Sequence, residues 1–329
     1  MIGPMDVISG LFGTAASPFL LRSQMRAPFA IDIADHAALT FVAPARGEID
    51  IMVGGGTHRL GPSGLALVRG TAAWRLGDTR ASAPLAVIEP GQVCRSADGT
   101  ELVAAWDRGV RTWGNASDRD ASHVLLSGTY EHLPATAEML LEQLPEVLVV
   151  DGPDAASSLR SAIGLLNDEL LEDHAAQHVV LSRLADLTLA LTLRHWVDGA
   201  VTLPPSLVRG YADDLIGAAI RALLGDPAEP WTIERLARVA GMSRAAFARR
   251  FADITGTTPI ALLTRWRLAL AAERLRMTDD PIVEIATDVG YGSAFALSTA
   301  FKRRYGLSPR RYRAGHDEGA RADLPRSAP

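Results

Sequence analysis

The chain is nearly without cysteine and nearly without lysine. Cys94 is the single cysteine among 329 residues, so no intramolecular disulfide can form, which fits a reducing cytoplasm. No apolar run is long enough to span a bilayer, so no membrane partner is expected. The apolar stretch Val7 to Leu21 is interrupted by Pro18 and preceded by no basic residue. It is expected to be the first folded segment rather than a secretory leader. Histidine and cysteine do not cluster at zinc spacing, so no metal site is expected. The run Gly54-Gly55-Gly56 lacks the G-x-x-x-x-G-K-[ST] pattern of a phosphate loop and reads as a hairpin turn. No Ser–His–Asp set and no paired carboxylates stand out by spacing. The sequence thus asks for no catalytic residue and no cofactor.

The formal net charge of −5 averages opposite regions. Residues 1–227 hold 16 basic and 27 acidic side chains, residues 228–313 hold 15 and 8, and the remainder hold 2 and 3. A basic block behind an acidic one suits a DNA-binding domain attached to a sensory one. A solvated arginine-rich surface would look the same by charge alone.

The periodicity changes along the chain. From Pro18 to His132, short apolar runs alternate with Gly, Pro and Asp. Examples are Phe29–Ile33, Leu39–Val42, Glu48–Val53, Leu65–Val68, Leu85–Ile88, Glu101–Trp106 and His123–Leu126. Seven or more such strands predict an antiparallel sandwich or small barrel. From Ala155 to Leu224 the period is helical. Leu159, Ile163, Leu166 and Leu170 form one stripe; Leu184, Leu187, Leu191 and Trp196 form another. These helices are candidates for a homodimer interface or for packing on the β region. Asp226-Pro227-x-x-Pro230 marks a boundary. The expected organisation is an α+β chain: a sensor domain at 1–150, a helical segment at 151–227, an all-α DNA-binding domain at 228–313 and a disordered tail at 314–329.

Within 228–313 one unit occurs twice. Leu236-Ala237-x-x-Ala240-Gly241 recurs 49 residues later as Ile285-Ala286-x-x-Val289-Gly290. Phe247, Phe251, Gly256 and Pro259 recur 50 residues later as Leu297, Phe301, Gly306 and Pro309. Each copy reads as helix, glycine turn, helix, the layout of a helix-turn-helix reader. In the first copy Thr232 and Ser243 are expected N-caps, around helices Ile233–Ala240 and Ser243 to about Ile254. Ala245, Ala248, Arg249 and Ala252 form the outer face of the second helix. Arg249 there can bond guanine O6 and N7, with alanine methyls against thymine methyls. Arg244 and Arg250 lie to the side, where phosphate contacts are expected. The helix Pro259–Arg276 spans roughly 27 Å and can hold two readers about one DNA turn apart. In the second copy Asp280 is the expected N-cap. Ser293 opens a helix whose reading face holds Ala294, Phe295, Ser298 and Thr299. Ser243, Ser293, Lys302 (the only lysine) and Arg303 complete the expected phosphate contacts.

Trp231–Arg313 resembles the DNA-binding domain of the AraC/XylS family of bacterial transcription regulators. The residues that carry the resemblance are Gly241-Met242-Ser243, Phe251, Gly256-x-x-Pro259, Trp266-Arg267, Ile285-Ala286-x-x-Val289-Gly290-Tyr291-x-Ser293, Phe301-Lys302-Arg303, Gly306-x-Ser308-Pro309 and Tyr312-Arg313. The resemblance implies two helix-turn-helix units on one side of double-stranded promoter DNA. It favours an activator, with RNA polymerase as partner. Members often have arginine where this chain has Thr299, so the first unit is expected to carry more of the base reading.

The β-rich region is similar to the cupin-like sensor domain of one branch of that family. Arg26-Ala27-Pro28-Phe29, Leu60–Val68 and Leu125-Leu126-Ser127-Gly128-x-Tyr130 carry this looser likeness. Enzymatic cupins use an H-x-H pair, a glutamate and a later histidine. Here His36, His58, His123 and His132 stand apart. Trp74, Arg75, Trp106, Arg111 and Trp113 are candidates for an aromatic, cationic pocket for a small-molecule effector. Cys94, beside Arg95, is a candidate redox sensor if its thiolate is stabilised. The rival readings are a cupin-type metalloenzyme with an accessory DNA-binding domain, and a sequence-indifferent DNA-packaging protein.

Overall fold

A computed structural model describes residues 18–78, 83–150, 157–198 and 204–322. These residues divide into two units. One is built on strands and takes residues 18–133 and 144–198. The other is helical and takes 134–143 and 204–322. The notional first segment, Val7 to Leu21, lies outside the described residues up to position 17, and Phe19 onward is a strand.

The β unit has thirteen strands among the described residues: β1 (Phe19–Met25), β2 (Ala30–Ile33), β3 (Leu39–Arg46), β4 (Ile49–Val53), β5 (Gly56–Leu60), β6 (Leu65–Arg69), β7 (Trp74–Gly77), β8 (Ala86–Glu89), β9 (Val93–Ser96), β10 (Asp107–Gly109), β11 (Thr112–Trp113), β12 (His123–Tyr130) and β13 (Val147–Val150). They form two sheets, in the orders β10-β11-β1-β12-β3-β6-β13 and β5-β4-β7-β2-β8-β9. β4 shows why. Ile49, Ile51 and Val53 are buried while Asp50 and Met52 are half-buried, the period of two that turns alternate side chains inward. Gly54 and Gly55 join β4 to β5 with φ of +57° and +85°, which a two-residue primed turn requires. Phe29, Ile31, Val42, Ile51, Leu60 and Leu76 fill the core between the sheets.

The structure departs from the sequence pattern in three places. The sheets are not closed into a barrel, and they are mixed, because β1 pairs β11 and β2 pairs β8 in parallel. Glu101–Trp106 is not a strand: Glu101 makes an isolated antiparallel bridge to Arg95, and Val103 to Trp106 form a turn. Only Leu102 and Trp106 reach the core, while Val103, Ala104 and Ala105 are exposed: Leu102 N–H donates to Cys94 O, Trp106 N–H returns to Leu102 O at 2.9 Å, and the Trp106 ring lies 4.7 Å from that of Trp113. The third concerns the helices. In α2 (Ser157–Leu171) the expected stripe Leu159, Ile163, Leu166 and Leu170 is buried. In α3 (Gln177–Asp198) the buried stripe is instead Leu181, Ala185, Leu189 and Leu193, with Thr188 and Thr192 beside it. Those threonines can be buried because each hydroxyl donates to the carbonyl four residues back, at 2.7 and 2.8 Å. Leu184, Leu191 and Trp196 are only half-buried and Leu187 is exposed.

The helical unit contains α1 (Ala135–Leu141), α4 (Leu207–Ala212), α5 (Asp214–Gly225), α6 (Ile233–Val239), α7 (Arg244–Thr255), α8 (Pro259–Met277), α9 (Ile282–Asp288), α10 (Ala294–Tyr305) and α11 (Pro309–Ala322). Sequence reading ended the last unit at Arg313, whereas α11 continues through Ala322; residues 323–329 lie outside the described residues. α1 comes from the chain between β12 and β13, yet it packs on α8. Ala135 joins Leu268, Ala271, Ala272 and Leu275, and Thr136 N–H donates to Glu273 Oε1 at 3.1 Å. Glu142, just past α1, pairs with Arg265 at 2.6 Å and Arg304 at 3.1 Å. Short-range pattern gives no sign of this placement, because the contacts cross more than 120 residues of sequence.

Candidate nucleic-acid interface and ligand cavity

The two readers are built by the same local chemistry. Gly241 (φ +64°) and Gly290 (φ +86°) end α6 and α9 in the left-handed region, where L side chains are strained. The following amides close both turns alike: Met242 N–H donates to Ala237 O at 2.9 Å, and Tyr291 N–H to Ala286 O at 2.7 Å. Ser243 and Ser293 cap the second helices, their hydroxyls accepting from Ala246 N (3.4 Å) and Ala296 N (3.1 Å). Gly256 and Gly306 end those helices at φ +71° and +75°. Phe247 and Phe251 in α7, and Leu297 and Phe301 in α10, are fully buried and fix which face points outward. Asp280 is not the N-cap of α9. Its carboxylate is bound by Arg274, which holds its pKa below the usual carboxylate range with help from Thr278, and Pro281 takes the cap position.

The outward faces hold the expected reading residues unevenly. On α7, Ala245 and Arg249 are exposed and Ala248 is half-buried. On α10, Thr299 is exposed, Ala294 and Ser298 are half-buried, and Phe295 is 81% exposed. An aromatic ring that open to water has an unmet hydrophobic surface. Lys302 and Arg303 are exposed and form no salt bridge among the described residues. The other expected phosphate contacts are already engaged. Arg244 pairs with Glu234 at 2.8 Å, Arg250 with Asp213 at 2.7 Å, and both serine hydroxyls are used in caps.

Asp213 has a second duty, accepting from Leu215 N and Ile216 N to cap α5. Alongside it α4, which sequence reading did not find, lies against α7: Ser206 N–H donates to Ile254 O at 2.9 Å. A groove of about 630 Å³ runs between them, bordered by Arg209, Asp213, Arg249, Arg250 and Asp253. Arg209 is thus a further cation beside the first reader. Its only sequence signal was a basic residue just after Pro204-Pro205.

In the β unit, a cavity of about 60 Å³ lies between the sheets. Trp74 and Trp113 line it, as the sequence suggested. Trp113 also lines a larger hollow of about 510 Å³ that shares Leu21, Ile88 and Gln92 with the cavity and includes Arg111. Arg75 does not join them. It follows Trp74 on the strand, points to the opposite face and binds Asp32 with both forks, the longer contact being 3.0 Å. Trp106 packs against Trp113 at a tilt of 46° without being among the residues that line either space. Cys94 borders the hollow, but burial pushes its thiol up to about 12. That is the reverse of thiolate stabilisation, and Arg95 is bound to Glu89 at 3.1 Å. Sequence reading missed the hydroxyls of Ser23, Thr40, Ser127 and Thr129, which face the cavity. Their signal was serine or threonine at inward positions of strands. His123 is a satisfied core residue, its ring nitrogens lying 3.0 Å from Ser122 Oγ and 3.0 Å from Glu48 O. Among the described residues no three His, Cys, Asp or Glu gather as a metal site, and no helix is long and apolar enough to cross a membrane.

Two helix-turn-helix readers on either side of α8, in one chain with a β-sheet sensor unit, define a DNA-binding regulator. Comparison with known proteins agrees. A cupin family model matches residues 6–198, and a helix-turn-helix domain model matches residues 236–315. A putative AraC-like transcription regulator of Streptomyces antibioticus is 35% identical over 217 residues, 66% of this chain and 70% of its own. The RCS-specific HTH-type transcriptional activator RclR of Escherichia coli is 34% identical over 195 residues, 58% of this chain and 68% of its own. The crystal structure of the DNA-binding domain of AdpA with a target DNA is 34% identical; it covers 35% of this chain and 100% of its own, with a TM-score of 0.31. The chain belongs to the AraC family of transcription regulators, with a helix-turn-helix DNA-binding domain and a cupin-like ligand-sensing domain.

Proposed function

We propose that the protein acts in the cytoplasm as a homodimeric activator whose promoter binding is set by a small molecule held in the β unit. The single observation that carries the DNA-reading assignment is the exposed face of the recognition helices, with Arg249 on α7 and Phe295 on α10 turned to solvent. Arg249 reads guanine through its two forks, and Phe295 meets a thymine methyl. Ala245, Ala248, Ala294, Ser298 and Thr299 shape the surfaces around them. Lys302 and Arg303 take phosphates, and Arg209 adds a flanking contact.

The dimer is supported by the outer side of α2 and α3, where Leu165 and Leu187 are exposed and Leu184 and Leu191 are half-buried. The effector acts by population shift: it must bind one arrangement of the chain better than another. α1 offers a route for that bias. It is continuous with β12 and β13 of the sensor unit, yet it is packed on the linker helix α8. No enzymatic step is assigned, and RNA polymerase is the partner an activator needs.

Genome-wide mapping of bound DNA tests the reading. A short set of promoter-proximal peaks sharing one motif is the expected result. Binding spread evenly over the genome would favour the packaging alternative.

A further inference from the structure

We infer that the cavity of the β unit takes an uncharged amphiphile, with a compact hydrogen-bonding head inside and an apolar body in the adjoining hollow. This rests on the effector reading above and names the chemistry of that site.

One wall of the inner cavity mixes hydroxyls with Leu21, Val42, Leu125 and Trp113, and the other is mainly apolar. Ser23 of β1, Ser127 and Thr129 of β12 and Thr40 of β3 face the cavity from one sheet. Register brings them together: Thr129 is paired directly with Thr40, and Ser127 sits between Leu21 and Val42. Ile31, Ile33, Leu76 and Ile88 face them from the other sheet. Ser23, Thr40 and Thr129 are more than nine-tenths buried, at 7, 6 and 6% exposure. Among the described residues, no protein group forms a hydrogen bond with any of the four hydroxyls. None of the four is among the buried polar atoms left without a partner, so each hydroxyl keeps accessible surface toward the cavity and meets what occupies it, water or ligand.

Charge narrows the class. Among the described residues, no lysine, arginine or histidine lines the inner cavity. The one carboxylate among the described lining residues, Asp35, already accepts from Ala37 N and from Gln92 Nε2, both at 3.1 Å. A charged head would lose its hydration there and gain no counter-ion. A hydroxyl can donate and accept, so four of them suit an alcohol, a carbonyl or an amide. Arg111 and Asp107 lie only in the outer hollow, with opposite signs.

Size and polarity divide the ligand. At about 60 Å³ the inner space is well below the roughly 150 Å³ of a cavity that holds benzene, so only a head of a few atoms enters. The hollow beyond it is about 510 Å³, with Phe19, Leu20, Val103 and Ala104 on its walls. It suits an aliphatic or aromatic body. A sugar would leave its hydroxyls against Ile31, Ile33 and Ile88.

The test is calorimetric titration of the full chain with hexan-1-ol and benzyl alcohol, against hexanoate, benzoate and hexylammonium. The alcohols should bind saturably, at least about tenfold more tightly than the ions. Thr40→Val with Thr129→Val should weaken the alcohols about tenfold or more. Thr129→Ser, which keeps the hydroxyl, should stay within about threefold of the parent, so that a folding defect is not mistaken for a lost contact. Ions binding as tightly as alcohols, no saturable binding by any of the five probes, or an indifferent double variant would overturn the inference. Specific DNA binding by the untreated chain is measured in parallel. Its loss would sink the regulator reading while leaving the ligand result standing.

Discussion

At the scale of single residues, the structure separates cations free to meet DNA from cations already held. Lys302 and Arg303 are exposed without a salt bridge among the described residues, whereas Arg250 is bound to Asp213. Lys302→Ala should therefore lower the salt slope of DNA binding by about one unit, while Arg250→Ala leaves it nearly unchanged. Arg249→Ala should cost about 1–3 kcal/mol on the true site and relax one base position. Phe295→Ala should weaken DNA binding yet change unfolding free energy by no more than about 0.5 kcal/mol, because its ring has little protein to pack on. Anisotropy titrations at several salt concentrations, with single-base operator variants, read the binding of all four, and urea unfolding reads the stability of Phe295→Ala. Equal loss on every sequence would reassign Arg249 to phosphate contact. The buried thiol makes a pH prediction. With its pKa at about 12, Cys94 is almost wholly protonated at pH 8. Iodoacetamide should leave the folded protein unmodified at that pH and label it only after unfolding; labelling at the rate of a free thiol would contradict the burial. The residues most readable in the sequence were those with local jobs, such as Ser243, Ser293, Gly241 and Gly256. Arg250 misled because its partner lies 37 positions upstream.

At the scale of elements, the repeated reader was legible because caps, turn glycines and an apolar i, i+4 pattern act within a few residues. Asp280 shows where that logic stops: a good capping residue was taken by Arg274 from the preceding helix. Glu101–Trp106 shows another stop, since an apolar run cannot say whether it extends or turns. The second turn also differs from the first in packing. A Cβ added at Gly290 would lie 2.7 Å from Arg267 Nη2 and 2.8 Å from Ala228 Cα, whereas at Gly241 nothing lies within 4 Å. Arg267 cannot move freely, since it donates to Pro227 O at 2.7 Å and Glu229 O at 3.0 Å. Gly241→Ala should thus cost about 1–2 kcal/mol from backbone strain alone, and Gly290→Ala distinctly more. Urea unfolding of the two variants checks this; equal losses would mean that the Arg267 contact yields easily.

At the scale of the whole molecule, charge asymmetry and change of period placed a sensor before a DNA reader. They could not reveal that residues 134–143, between two strands, build into the helical unit, because that depends on side chains meeting far along the chain. Nor could they choose between two apolar stripes on α3. The buried one serves the β unit, which leaves Leu187 and its neighbours outward. Leu187→Arg should convert a dimer to a monomer in sedimentation experiments without unfolding it, and an unchanged mass would remove this face from the interface. The central claim, sequence-directed DNA binding by two unlike readers, is tested most directly by competition. A labelled promoter fragment bound by the full chain is challenged with unlabelled promoter and with random DNA at fixed salt. The account predicts a specificity ratio of about 10³ or more. A ratio near one would contradict it.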